Sequence, residues 1–143
     1  MPQADFYLLS SADTSARDNF TCRLCERVIK SQQSLAIYTQ SQAQAESIDP
    51  LLWQYQPASF LPHTLISEAK DISAPIVLFW PESEAPESPV LLNLATDLPP
   101  EMSPYERLLE VVPNTPEAKQ TARERYKQLK TLGWVLNTHN INA

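Results

Sequence analysis

The stretch Pro75-Ile-Val-Leu-Phe-Trp80 decides the fold class of this chain. It is apolar at every position, which is typical of a parallel strand whose two faces are both covered by helices. Other short apolar runs, rich in branched and aromatic side chains, predict further strands of the same sheet. They lie at Phe6–Leu9, Leu35–Thr39 and Val90–Ala95.

Segments with helical patterns lie between the first three of these strands. Between Arg17 and Lys30 the apolar side chains recur at helical spacing, which predicts an amphipathic helix. The polar stretch Ser41–Ser47 predicts a short second helix. Asp49-Pro50 predicts a new helix start, because Asp is a good N-cap and Pro is tolerated at the first helical position. Leu51–Tyr55 is then a separate helical turn.

The segment Arg107–Val112 fits two structures. The preceding Ser103-Pro104-Tyr105-Glu106 has the pattern of a capping box, which would start a helix there. The run Leu-Leu-Glu-Val-Val before Pro113, however, has the length and composition of a strand. We favour the strand.

A longer helix is predicted from Pro116 to Leu132. Thr115 caps its start, and Gly133 supplies the left-handed residue that commonly ends a helix. Trp134–Thr138 then predicts a last strand. Strands that alternate with helices indicate an α/β fold with a mainly parallel sheet and helices on both faces.

Length and local composition indicate one domain over residues 1–143. The acidic, proline-rich segment 81–89 predicts a flexible loop within it. No apolar run approaches the ~18 residues that span a bilayer, and no signal pattern starts the chain, so we expect a cytoplasmic protein.

Glycine is nearly absent, since Gly133 is the only one among 143 residues that include 13 prolines. Loops that cradle phosphates need several glycines, both for positive φ angles and for close approach of the backbone to the ligand. The sequence therefore excludes the usual nucleotide-binding loops, and no cofactor is expected.

Charge is distributed unevenly along the chain. The net charge is −6, but five basic and only two acidic residues lie between Pro116 and Leu132. The remainder is correspondingly more acidic, so the molecule as a whole should repel nucleic acid while this helix attracts an anionic partner.

The basic residues of this helix share one face with a tyrosine. At ~100° per residue, Lys119, Arg123, Tyr126, Lys127 and Lys130 fall within an arc of about 100°. A second side of the helix, roughly a quarter-turn or more away, should be buried. It carries Ala118, Ala122, Leu129 and Leu132, with Arg125 among them and expected to pair with a carboxylate.

Two interpretations of the cationic face remain open at this point. Runs of charge are usually solvated surface. A guanidinium with an adjacent aromatic ring also suits a peptide that carries acidic side chains and an apolar tip.

Other chemically reactive residues indicate structural roles. Cys22 and Cys25 have redox or zinc spacing, but they lie inside a predicted helix without a second pair, so one buried and one partly covered thiol without a chemical role are favoured. His63 and Glu68 lie in a proline-flanked loop without a nucleophile motif. We therefore favour a structural histidine over an acid/base pair.

Several ordered motifs together resemble the chi subunit family of bacterial DNA polymerase III. The resemblance extends over nearly the whole chain. Its most specific parts are Lys119-Gln-Thr-Ala-Arg-Glu-Arg-Tyr-Lys127 and the spacing of Trp53 to Phe60-Leu-Pro-His63, with Phe6-Tyr-Leu-Leu9, Ala74-Pro75-Ile76, Trp80 and Leu132-Gly133-Trp134 in the same order.

The resemblance implies a three-layer Rossmann-like domain without a nucleotide and a non-catalytic role. Proteins of this family link the clamp loader, through the psi subunit, to the acidic C-terminal tail of single-stranded-DNA-binding protein, which ends in phenylalanine. It implies a monomer or a heterodimer with psi, contact with DNA only through partners, and no membrane. A helicase is a further candidate partner at the psi-facing site.

Site residues follow from the same resemblance. The tail site would consist of Lys119, Arg123, Tyr126 and Lys127, with Val112 lining its apolar pocket. The psi-facing site would include Trp53 and Phe60, for which packing in the core is the alternative.

Two other functions compete with the adaptor. The same basic face could bind single-stranded nucleic acid directly, although the acidic remainder of the chain argues against it. An enzyme with a small-molecule pocket would instead depend on His63 or Cys25.

Overall fold

A computed structural model describes residues 2–54, 63–65, 75–83, 85–86, 88–100, 102 and 105–142. In chain order these residues form β1 (Gln3–Leu9), α1 (Thr14–Lys30), β2 (Leu35–Tyr38), α2 (Gln42–Gln54), β3 (His63–Leu65), β4 (Ile76–Phe79), β5 (Val90–Asn93), β6 (Arg107–Val112), α3 (Pro116–Thr131) and β7 (Val135–Ile141). The predicted α/β fold is confirmed, and Arg107–Val112 is a strand.

All seven strands belong to one sheet in the order β3-β4-β2-β5-β6-β1-β7. Every neighbouring pair is parallel. α1 and α2 cover one face, where Leu24 and Leu52 join the core. α3 covers the opposite face, where Ala122 and Leu129 pack with Phe6. This is the three-layer, Rossmann-like arrangement, with β3 and β7 at its two edges.

The predicted restart of the chain at Asp49-Pro50 is wrong, because α2 runs without a break from Gln42 to Gln54. Proline inside a helix costs about 3 kcal/mol. Here Ile48 and Leu52 are buried on either side of Pro50, which itself is exposed. Burial of this apolar stripe therefore outweighs the local signal to end the helix.

Two further expectations also need correction. Leu132, placed on the buried side of the last helix, is 72% exposed. It is the C-cap residue of α3, so helical periodicity no longer sets its direction. His63, expected in a loop, begins the short edge strand β3.

The acidic segment 81–89 has anchors within its described part. Pro86 is buried, and the hydroxyls of Ser34 and Ser88 lie 3.1 Å apart. The flexibility expected of this segment stays a prediction. Among the described residues, no helix is long and apolar enough to cross a membrane.

A buried carboxylate links the three strands nearest the β7 edge. Asp5 on β1 accepts hydrogen bonds from Arg107 Nε on β6 at 3.0 Å and from His139 Nε2 on β7 at 2.9 Å. The His139 ring stacks on Tyr7, with centroids 4.8 Å apart. Burial alone would raise the pKa of Asp5, but the hydrogen bonds from His139, Arg107 and Gln3 outweigh it and lower that pKa.

Gly133 ends α3 with a φ of +87°, and a Cβ there would meet no atom within 4 Å apart from those of its own chain neighbours. We expect Gly133→Ala to lower the free energy of unfolding by about 1–2 kcal/mol through backbone strain alone. Gly133→Asn should cost less, because asparagine tolerates the left-handed region. Urea denaturation of the three proteins measures the difference. If Gly133→Ala were as stable as the parent, the positive φ would not be required.

Candidate peptide-binding site

Helix α3 begins and ends at well-defined caps. Thr115 Oγ1 accepts a hydrogen bond from the Ala118 amide at 3.2 Å, and Pro116 occupies the first helical position. At the other end, the Gly133 amide bonds to the Lys130 carbonyl. These were the caps predicted from the sequence, and they hold the cationic residues on a rigid element.

The inner side of α3 is attached to the sheet by a buried ion pair. The Arg125 guanidinium contacts the Glu110 carboxylate of β6 and the Thr96 carbonyl. Asn93 Nδ2 donates a hydrogen bond to Glu110 at 2.6 Å. The expectation that Arg125 pairs with a carboxylate is confirmed, and Arg125 is therefore not part of the exposed cationic face.

Opposing effects act on the Glu110 carboxyl. Burial is the largest effect and raises the pKa of Glu110, and the charge of Arg125 with the hydrogen bonds from Asn93 and Arg125 offsets only part of it. Burying either charge of the pair without the other would be strongly destabilising.

The outer side of α3 presents free positive charge. Lys119, Arg123, Lys127 and Lys130 are all exposed. Within the described part of the chain, none of these four side chains forms an ion pair. The nearby Glu124 is hydrogen-bonded to Gln120. The four cations are therefore available to an external anion.

A cavity of about 470 Å³ lies between α3 and the β1 and β7 strands. Its floor and walls are mostly apolar, and its rim is cationic. The lining residues are Phe6, Leu8, Leu9, Val112, Lys119, Ala122, Arg123, Tyr126, Lys127 and Thr138. All five residues predicted for the tail site thus line a single cavity.

Tyr126 has a fixed position in this cavity. Its ring packs on Phe6 with centroids 5.7 Å apart and an interplanar angle of 53°. The Tyr126 side chain is half-buried, and the buried Val112 of β6 lines the same cavity. An incoming apolar group would therefore meet a preformed surface, which reduces the ordering cost of binding.

Sequence reasoning missed the cavity floor. Phe6 and Leu8 appeared as part of a strand and of a family motif, and Thr138 as the end of another strand, but none of them was assigned to the site. They reach the site because β1 pairs in parallel with both β6 and β7, so that Phe6 lies opposite Thr138. The alternation of Ala4, Phe6 and Leu8 toward α3 was the available signal, but it does not tell which helix covers that face.

The other candidate residues lie elsewhere. Trp53 is in the last turn of α2, which packs beside β3 at the sheet edge opposite the cavity. Phe60 and Glu68 lie outside the described residues. No group of three potential metal ligands occurs in the described ranges.

The two cysteines are buried and unpaired by disulfide. Burial, with a smaller contribution from Asp18, raises the pKa of the Cys22 thiol to about 11. Burial also raises the pKa of Cys25. Thiols this difficult to ionise are poor nucleophiles and poor metal ligands at neutral pH, as expected for a structural role.

Comparison with known proteins gives consistent matches over nearly the full length. The family model described as DNA polymerase III chi subunit, HolC, matches residues 1–137. A Haemophilus influenzae protein named DNA polymerase III subunit chi is 34% identical over 139 residues, covering 96% of each chain. Proteins of that name from Pseudomonas aeruginosa and Escherichia coli are 30% and 31% identical, covering 99% and 96% of this chain and 98% and 97% of their own length.

Arg123 and Arg125 form a matched pair on one helix, one exposed and one buried. We expect Arg125→Ala to lower the free energy of unfolding by about 3–5 kcal/mol, because it leaves the Glu110 charge buried without a partner. Arg123→Ala should change it by no more than about 0.5 kcal/mol, as is usual for exposed positions. Chemical denaturation of both variants measures this contrast.

A double substitution separates the effect of an unpaired buried charge from the effect of lost packing. Glu110→Leu combined with Arg125→Met removes both charges and should recover most of the stability lost in Arg125→Ala. Equal destabilisation by Arg123→Ala and Arg125→Ala would contradict the division of α3 into an anchoring side and a free side.

Proposed function

This chain belongs to the DNA polymerase III chi subunit family, and we propose that within the holoenzyme it is a non-catalytic adaptor. Its α3 cavity captures the acidic C-terminal tail of single-stranded-DNA-binding protein, and a separate surface binds the psi subunit. The observation that carries the tail assignment is the combination of an apolar floor with a rim of unpaired cations.

The chemistry of the cavity suits a chain that ends in an aromatic residue. A terminal ring can pack on Tyr126, Val112 and Phe6. Its carboxylate and the preceding acidic side chains can pair with Arg123 and with the rim lysines, and charged hydrogen bonds of this kind are among the stronger ones. A volume of about 470 Å³ is within the ~300–1,000 Å³ of ordinary ligand pockets.

Direct binding of single-stranded nucleic acid fits the surface less well. Sites for single strands use several aromatic side chains on which successive bases stack. The cationic face has one aromatic residue, Tyr126, and that ring already packs on Phe6. The net charge of −6 also opposes a polyanion. The adaptor would then contact DNA only through its partners.

The two proposed docking surfaces belong to opposite edges of the sheet. The cavity lies by β1 and β7, whereas Trp53 is on α2 beside β3. Seven strands have six spacings of ~4.8 Å, so these edges are about 29 Å apart. Two partners can therefore bind at the same time. The same proposal assigns the chain to the bacterial cytoplasm, as a monomer or a heterodimer with psi.

Binding of a synthetic acidic peptide that ends in phenylalanine tests the tail site. We expect Arg123→Ala to weaken it about 10- to 100-fold, because charged hydrogen bonds contribute roughly 1.5–3 kcal/mol. Tyr126→Ala should weaken it too, whereas Tyr126→Phe keeps the ring and should have little effect. Isothermal titration calorimetry at two salt concentrations measures both affinity and its expected decrease with salt.

Two controls make this experiment specific. Arg27→Ala removes an exposed arginine from α1 on the opposite face of the sheet and should leave the affinity unchanged. A peptide without its terminal phenylalanine should bind weakly to every variant. Undiminished binding by Arg123→Ala would refute the site, and equal affinity for a single-stranded oligonucleotide would favour the nucleic-acid function instead.

Binding of purified psi subunit tests the second surface. We expect Trp53→Ala and Phe60→Ala each to weaken psi binding at least about 10-fold, as truncation of aromatic anchors often does, while leaving peptide affinity intact. Arg123→Ala should show the reverse pattern. Circular dichroism establishes that each variant is folded. If Trp53→Ala lost both psi binding and peptide binding, the two surfaces would not be independent.

A further inference from the structure

We propose that the captured tail leaves the cavity toward the N-terminal end of α3, so that its acidic residues lie over Lys119, Arg123 and Gln120. This inference rests on the proposed function and adds to it the path of the bound chain. The tail's terminal ring occupies the cavity, and the preceding residues cross the start of α3.

A second surface depression defines this path. It is lined by Asn114, Pro116, Lys119, Gln120 and Arg123. Lys119 and Arg123 also line the main cavity, so the two depressions adjoin at these side chains. A chain leaving the cavity here stays in contact with both cations, and the Pro116 ring adds an apolar surface beside them.

The helix backbone favours the same direction. The N-terminal end of a helix carries a partial positive charge and its C-terminal end a partial negative one. Glu117, the acidic residue of the first turn, lines a different cavity together with Arg17 and Arg125, and it is absent from the lining of the depression. Glu124, whose carboxylate accepts a hydrogen bond from Gln120, is also absent from that lining. Lys119, Arg123 and the helix dipole therefore make the start of α3 electropositive where the tail would cross it.

The two other exits from the cavity are less favourable for an acidic chain. Toward the C-terminal end, Lys130 is followed by the exposed Leu132 and the negative end of the helix dipole. Along the edge strand β7 the only ionisable side chain is His139, and it is already hydrogen-bonded to Asp5. The β7 exit offers no free cation, and the two at the C-terminal exit, Lys127 and Lys130, lie toward the negative end of the helix dipole.

Paramagnetic broadening can locate the path in the intact chain. A nitroxide is attached to a cysteine at the amino end of the acidic, Phe-terminated peptide, and the protein is ¹⁵N-labelled. Because α3 has 16 residues and is about 24 Å long at ~1.5 Å per residue, its ends are distinguishable. We expect the strongest broadening at the amides of Asn114, Lys119 and Gln120, with the 130–141 region less affected.

The possible outcomes separate this inference from the proposed function. Shifts at α3 with broadening centred on Lys130 or on β7 would overturn the path and leave the site intact. An unlabelled peptide that causes no shifts at α3 would overturn both. The reduced, diamagnetic nitroxide is the reference, so that effects of attachment alone are subtracted.

A matched pair of substitutions gives an independent measurement. Gln120→Glu places a negative charge in the depression and should weaken the peptide about 2- to 5-fold, the range of exposed charge pairs. Gln128→Glu makes the same change two turns further along α3 and should have a smaller effect. With a peptide shortened to its last few residues, the difference should disappear. A larger loss in Gln128→Glu would contradict the proposed path.

Discussion

The buried contact between Arg125 and Glu110 sets the rotation of α3 about its own axis. Glu110 is buried on β6, an interior strand of the sheet, and Asn93 donates a hydrogen bond to it from the neighbouring strand β5, so Arg125 must point inward. Arg123 lies two residues away, about 200° around the helix, and must then point outward. The same ion pair that attaches the helix thereby determines which cations are free, and the cavity follows from that orientation.

Local signals were sufficient to predict most elements of the fold. The apolar run at 75–80, the cap at Thr115 and the glycine at 133 each act over a few residues, and each was interpreted correctly. Asp49-Pro50 was misinterpreted for the same reason. Its local preference to start a helix is real, but burial of Ile48 and Leu52 acts through the tertiary structure, which no short pattern contains.

The residues that α3 contributes to the candidate site could be predicted from the sequence, whereas the strand residues of the cavity floor could not. Angular positions place Lys119, Arg123, Tyr126 and Lys127 together because they are on one regular element. The floor depends on β1 lying between β6 and β7, a pairing between residues more than 100 positions apart. Leu132 was wrongly predicted to be buried because the helical periodicity was extended one residue beyond Thr131, where α3 ends.

Phe6 contributes to two structures at once. It is 2% exposed and belongs to the apolar core beneath α3, and it also lines the cavity that opens beside that helix. An aromatic ring bound there extends the core with a side chain supplied by another molecule. Such a ligand binds only the folded chain, so it shifts the folding equilibrium by mass action. The lifetime of this protein in the cell would then depend on how much of its partner is present.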